Sequence, residues 1–137
     1  MGLTRPLPEA YGTAEIFWKA AGNDSLLIQK CKSCQKHQHY ARPFCLHCES
    51  DQLEMVPASG KGTVLSYTVI HRSPYSDLPA PYVVALIRLA EGVTMLSHIV
   101  EADPSAIACD KPVVVKFESI RDGGKIPVFA LSGAAKQ

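Results

Sequence analysis

Long hydrophobic runs are missing from this sequence. Across 137 residues no apolar stretch approaches the roughly 20 residues that a helix needs to cross a bilayer, which argues against a helical membrane span. The opening, Met1 to Gly12, carries no apolar signal-peptide core, and Pro6 stands where a myristoylation context calls for serine or threonine. An excess of one charge is missing too: 14 Lys and Arg face 13 Asp and Glu, a formal charge of +1. Four thiolates around a divalent ion would leave the chain slightly negative, poor material for an electrostatic nucleic-acid binder with its basic stripe. Internal repeats and low-complexity tracts are absent. So are the glycine-rich phosphate loop, the dinucleotide fingerprint, the H-E-x-x-H helix and the nucleophile elbow. Gly60-Lys61-Gly62-Thr63 looks like half a phosphate loop, but it lacks the upstream glycine and leads into a strand pattern.

Cysteine is scarce, five in all, yet four of the five fall in one stretch. Cys31-Lys32-Ser33-Cys34 and Cys45-Leu46-His47-Cys48 are two C-x-x-C pairs separated by 10 residues, enough chain to fold back and close a tetrahedral four-sulfur site. Zinc is the default occupant, and iron suits the same donors. Two disulfides are the plain alternative. The odd fifth residue, Cys109, and the missing export signal favour a reducing, cytoplasmic setting instead. Four cysteine ligands fill the shell and leave no position for water or substrate, which marks the metal as structural and not hydrolytic. Lys30, Lys32, Lys36 and Arg42 offset the charge of the thiolates. His37, His39 and His47 then read as surface or supporting residues, and His98 as a packed barrel-wall histidine. Cys109, beside Asp110, lacks the positive setting of a reactive thiol.

Around this cluster the chain falls into three parts: an arm and helix over residues 1–24, a zinc ribbon over 25–57, and a β-barrel over 58–137. The arm, with Pro6, Pro8 and Gly12, is expected to pack late or not at all. A helix is expected from Thr13 as N-cap, with Gly22 as its C′ stop. Ala14, Phe17, Trp18 and Ala21 make its apolar stripe, which must dock on this chain or on a partner. The ribbon needs short strands at Ser25–Lys30, Gln38–Arg42 and Leu53–Val56. Pro57 to Gly62 marks the module boundary. Beyond it come five strand patterns: Thr63–His71, Tyr82–Leu89, Val93–Val100, Val113–Glu118 and Ile126–Leu131. In the first, Leu65, Tyr67 and Val69 share one face by simple alternation. A stiff proline loop joins the first two, Glu91-Gly92 turns the second into the third, and Asp103-Pro104-Ser105 opens a single helical turn. At 47% hydrophobic residues the chain can fill a core. Closing five strands into an OB-like barrel removes their edges, although a small sandwich has the same alternation.

Taken in order, these segments resemble a widespread bacterial and archaeal family once catalogued as domain of unknown function thirty-five. The resemblance runs from about Thr13 to Leu131. It is carried by Phe17-Trp18, by the C-K-S-C knuckle and by Tyr40-Ala41-Arg42-Pro43 before the second pair. It continues through Gly60 to Val69 (G-K-G-T-V-L-S-Y-T-V), Pro81 to Leu86, Glu91-Gly92, Pro112 to Phe117 and Pro127-Val128-Phe129. Two departures stand out: Gln35 follows Cys34 where these knuckles commonly have glycine, and Leu46 follows Cys45 where proline is usual. The resemblance implies a mainly β chain with a short N-terminal helix, a rubredoxin-like zinc ribbon and a five-stranded OB-fold barrel. It also implies a non-catalytic accessory or scaffold subunit for a thiolase-superfamily or related acyl-CoA enzyme, with acyl-CoA as a ligand. Phe17 and Trp18 become candidate docking contacts, and Arg72, Tyr75 and Leu78 candidate partner or ligand contacts, with Arg72 available to a phosphate. A single-stranded nucleic-acid-binding module is the rival expectation, since ribbons and OB-folds recur there. Against it, Tyr67 has no basic residue two positions away and Lys116 sits two residues from Glu118. A stand-alone enzyme ranks last.

Overall fold

Residues 5, 12–75 and 78–132 are described by a computed structural model of the chain. Helix α1 spans Thr13–Gly22. Its N-cap is Gly12, with no side-chain capping bond, and not Thr13 as expected. Nor does Gly22 stop it. Asn23 caps the C-terminus and Asp24 takes the left-handed conformation at φ 63°. The amide of Asp24 donates to Ala21 O and that of Ser25 to Ala20 O, which satisfies the last carbonyls in a Schellman arrangement with aspartate in the usual place of glycine. Phe17 and Ala21 are buried and Trp18 is half-buried, while Ala14 is exposed, so the expected stripe docks on the chain's own β structure except at its first residue. Of the N-terminal arm only Arg5 and Gly12 lie within the described residues. Arg5 departs from the expectation of an unpacked arm. It is 7% exposed, pairs with Glu118 at 2.9 Å, and its carbonyl accepts from Arg121 N. The expected frayed end at 133–137 lies outside the described residues.

The ribbon is a three-stranded antiparallel sheet of β1 (Leu27–Cys31), β2 (His37–Gln38) and β3 (Leu53–Pro57), ordered β2-β1-β3. The second strand is shorter than expected, because the chain leaves the sheet after Gln38 and Tyr40 reaches the barrel, its hydroxyl oxygen accepting from Leu96 N.

The barrel comprises β4 (Lys61–Ile70), β5 (Tyr82–Leu89), β6 (Thr94–Val100), β7 (Pro112–Ser119) and β8 (Lys125–Leu131). It closes in the order β4-β5-β6-β8-β7, with β7 returning to pair with β4. All pairs are antiparallel except β6 with β8. This is a five-stranded OB-like barrel, and the sandwich alternative falls. Val83, Ala85, Ile87 and Leu89 face its core as expected, opposite Ile99, Ser97 and Met95 of β6. On β4 simple alternation fails: a register shift between Val64 and Ser66 places Val64, Tyr67 and Val69 opposite the inward-facing Ile87, Ala85 and Val83. The extra residue of the bulge is the physical reason. At Gly62 the strands approach so closely that a Cβ would lie 2.6 Å from Arg88 O, so only glycine fits. A one-turn 3-10 helix, Pro104–Ala106, is capped by Asp103, whose side chain accepts from Ser105 N at 2.9 Å. Phe17, Leu26 and Ile28 join Val64, Ile87, Met95 and Phe129 in one continuous core cluster, so helix, ribbon and barrel share their packing.

One part of the wall is loose. β6 and β8 pair only at Ile99 with Phe129 and Val100 with Ala130. On the N-terminal side of these pairs, Ser97 Oγ donates to Pro127 O at 2.9 Å.

Candidate functional site

Both cysteine pairs are presented by backbone turns of the same design. In the first, Gln35 N donates to Cys31 O and Cys31 N donates to Lys36 O, each at 2.9 Å. In the second, Glu49 N donates to Cys45 O at 2.9 Å and Cys45 N to Ser50 O at 2.8 Å. The fourth residue after each leading cysteine, Gln35 or Glu49, is left-handed at φ 66°. That is where glycine would be least strained. Gln35 takes up the conformation and anchors itself, its Nε2 donating to Lys32 O at 2.7 Å.

The four Sγ atoms of Cys31, Cys34, Cys45 and Cys48 lie within 4.8 Å of one another. Cys31 and Cys48 are 3.6 Å apart and Cys34 and Cys45 3.7 Å. A disulfide needs about 2.05 Å. An ion bound to sulfurs at about 2.3 Å sets tetrahedral edges near 3.8 Å, so the spacing fits a metal and not two disulfides. Among the described residues no histidine joins the cluster. The amide of Cys34 first, then that of Ser33, lowers the Cys31 thiol to about 6 against the burial that raises it. At Cys45 burial raises the thiol, but the amides of His47 and Cys48 outweigh it and the net shift is downward. At Cys48 the Ser50 amide lowers the thiol, yet burial and the three neighbouring sulfurs carry it up to about 12. Crowded thiols of this kind ionise together only when a cation balances them, and the donor set suits zinc or iron. Bound there, the ion would cross-link the two turns, and the four cysteines fill its shell.

Sequence reasoning missed what holds the second turn against the first. Gln29 and Gln38 are 2% and 4% exposed, polar side chains in the ribbon's interior. Gln29 Nε2 donates to Arg42 O and its Oε1 accepts from Arg42 N, both at 2.9 Å, so the amide acts as a substitute strand for the segment that left the sheet. Gln38 Nε2 donates to Gln29 Oε1 and to Phe44 O, and Gln38 Oε1 accepts from Leu46 N at 2.9 Å. Two glutamines set in strand patterns gave no signal of this. Only the turn-back of the chain brings them together.

A cleft of about 460 Å³ opens where the three parts meet. Its walls are Phe17 and Trp18 of α1, His39 and Tyr40 of the ribbon, and both sides of the loose β6/β8 seam, from Met95 to His98 and from Ile126 to Val128. The rings of Phe17 and Trp18 meet edge to face with centroids 4.9 Å apart, and His39 lies between Phe17 and Tyr40 at 5.4 and 4.1 Å. Burial pushes His39 down to about 4. It also pushes His98 below the usual imidazole range, helped by Arg5 and opposed by Glu118. The structure thus brings Phe17 and Trp18 to this cleft but not Arg72, Tyr75 or Leu78. Those three sit on the loop between β4 and β5, Arg72 exposed and the other two half-buried.

Residues 18–54 match the profile described as ChsH2, rubredoxin-like zinc ribbon domain, and residues 55–118 that of ChsH2, C-terminal OB-fold domain. A DUF35 domain-containing scaffold protein of Methanothermobacter thermautotrophicus is 36% identical over 109 residues, covering 77% of this chain and 81% of that one. The chain belongs to the DUF35 family. A solved DUF35 chain, in the structure titled Ltp2-ChsH2(DUF35) aldolase, superposes with a TM-score of 0.83 at 34% identity, covering 93% of this chain and 99% of that one. A probable enoyl-CoA hydratase alpha subunit of Thermomonospora curvata is 37% identical over 126 residues. There the DUF35-like chain spans 91% of its own length but only 39% of the relative's.

Proposed function

We propose that this DUF35 chain is a non-catalytic accessory or scaffold subunit of an acyl-CoA enzyme, its tetrathiolate site holding a structural zinc ion. The observation that carries the reading is the match along 99% of the DUF35 chain in the Ltp2-ChsH2(DUF35) aldolase structure. The relatives named as a scaffold protein and a hydratase subunit support it. The filled four-cysteine shell agrees, since a structural metal leaves the chemistry to another protein. The sequence resemblance points to the thiolase superfamily for that partner. Phe17 and Trp18 at the cleft, and Arg72, Tyr75 and Leu78 on the β4–β5 loop, are the contacts assigned to partner or ligand, with Arg72 exposed and free to approach a phosphate. No described helix is long and apolar enough to cross a membrane, and free thiols suit a reducing cytoplasmic setting. The nucleic-acid alternative is disfavoured by the barrel's second and third strands, a face OB-folds use for oligonucleotides. Here that face is partly taken by Tyr40 at Leu96.

Co-expression with a thiolase-like or hydratase enzyme from the same genome tests the proposal. The expected result is a stable complex whose turnover of an acyl-CoA thioester is at least tenfold above that of the enzyme alone, with no turnover by this chain alone. Turnover by the isolated chain, or no complex with any such enzyme, overturns it.

A further inference from the structure

The two cysteine turns are anchored unequally. The first lies between β1 and β2, with Cys31 the last residue of β1 and His37 the first of β2. Cys31 pairs with Leu53 across the sheet, and Lys32 N donates to Gln52 O at 2.8 Å. The second lies within residues 39–52, which enter no helix or strand. Its own bonds, Cys45 N to Ser50 O and Glu49 N to Cys45 O, stay inside the turn. Among the described residues, no backbone-to-backbone hydrogen bond ties residues 43–50 to any other part of the chain. Apolar packing contributes little: Phe44 and Leu46 are 53% and 56% exposed.

Side chains hold what the backbone does not. Gln38 Oε1 accepts from Leu46 N at 2.9 Å and its Nε2 donates to Phe44 O at 3.3 Å, so one buried amide brackets Cys45. Ser33 and Ser50 share a hydroxyl hydrogen bond at 2.9 Å. The four sulfurs supply the rest once an ion is bound. Of these, Cys31 and Cys45 belong to buried residues and Cys34 to a half-buried one, whereas Cys48 is exposed. A segment with few backbone bonds and little buried apolar surface opens at a lower free energy than the sheet beside it.

We propose that the four-cysteine site opens from its second turn. Cys48 leaves the ion first and Cys45 next, while Cys31 and Cys34 keep it, and the Gln38 amide is the latch that sets how often this happens. Gln38 is a positioning residue, acting through the backbone on either side of Cys45. Cys48 is then the sulfur that a thiol-reactive compound modifies first. The inference rests on the metal reading of the site and needs nothing of the accessory role.

The test treats the zinc-loaded full-length chain with iodoacetamide, whose methylene carbon bonds to a thiolate sulfur as iodide leaves. Peptide mass spectrometry times each cysteine while no molecule carries more than one modified site cysteine, and a chromogenic chelator reads the zinc set free. Cys109, exposed and outside the site, is the internal standard. The expected order is Cys48, then Cys45, with Cys31 and Cys34 about tenfold slower than Cys48. In Gln38→Leu, Cys45 and Cys48 should react about tenfold faster than in the parent, zinc should appear in step with them, and Cys109 should keep its rate. Ser33→Ala, which removes one bond to the same turn, should speed Cys45 and Cys48 about twofold. It takes the place of Gln38→Leu if a melting curve shows that variant unfolded. Val113→Ala, in the barrel core, should leave all four rates unchanged, which separates the latch from a general loss of stability. Simultaneous reaction of the four, Cys31 or Cys34 reacting first, no acceleration in the latch variant, or equal acceleration in Val113→Ala overturns the inference. A chain that binds no zinc removes the metal reading and this inference together. Ordered reaction in a chain that joins no enzyme removes the accessory reading alone.

Discussion

Gln38 occupies a strand only two residues long, His37–Gln38, yet its amide touches three residues, Gln29 of β1 and Phe44 and Leu46 of the second cysteine turn. Interior amides are worth keeping only when every group is paired, and here Gln29 and Gln38 complete each other. Replacing Gln38 by leucine would leave Leu46 N–H and one face of the Gln29 amide unpaired in a buried setting. The expected cost is about 2–3 kcal/mol, measured by denaturant unfolding of the metal-loaded protein, with Gln38→Glu losing at least as much, because its buried carboxylate would face two acceptors, Gln29 Oε1 and Phe44 O. A Gln38→Leu variant as stable as the parent would show the network to be incidental. At this scale the sequence was legible where chemistry is local. The C-x-x-C spacing announced a four-sulfur site because the two turns build it from adjacent residues. The glutamines were silent, since their value depends on a loop that returns from thirteen residues away in the case of Gln29 and Arg42.

The helix α1 shows what periodicity can and cannot say about an element. Its stripe was readable, and Phe17 and Ala21 do face inward. The ends were not: Asp24 supplies the left-handed residue that a glycine was expected to supply, because the amides of Asp24 and Ser25 and the side chain of Asn23 satisfy the last carbonyls. Strand β4 makes the same point. Alternation over Leu65, Tyr67 and Val69 put Val64 on the wrong side, since a single bulged residue inverts the parity of everything before it. Phe17 joins helix to barrel core and props Trp18 edge-on. Truncation to alanine should therefore cost about 3 kcal/mol and shift Trp18 emission to the red, as the helix loosens and the indole meets water. Thermal melting and fluorescence check both, and an unchanged melting temperature would mean that the helix is dispensable to the fold.

Across the whole molecule, five alternating strands led to the barrel, but not to its loose β6/β8 seam or to the cleft beside it. Pairing that stops after two residue pairs leaves no trace in a period of two, and the cleft depends on how helix, ribbon and seam meet. The ribbon has little apolar material apart from what it shares with the barrel through Leu26 and Ile28, so its own order must come from the metal. The barrel has a continuous core and needs none. Hydrogen exchange read by mass spectrometry on the metal-loaded protein, and again after the metal is stripped by a chelator, puts this division to the test. Stripping should abolish protection over β1, β2 and β3 with both cysteine turns, while β5 and β6 stay protected. Equal protection of the ribbon with and without metal would contradict the claim that the four-cysteine site is the knot on which this part of the chain is built.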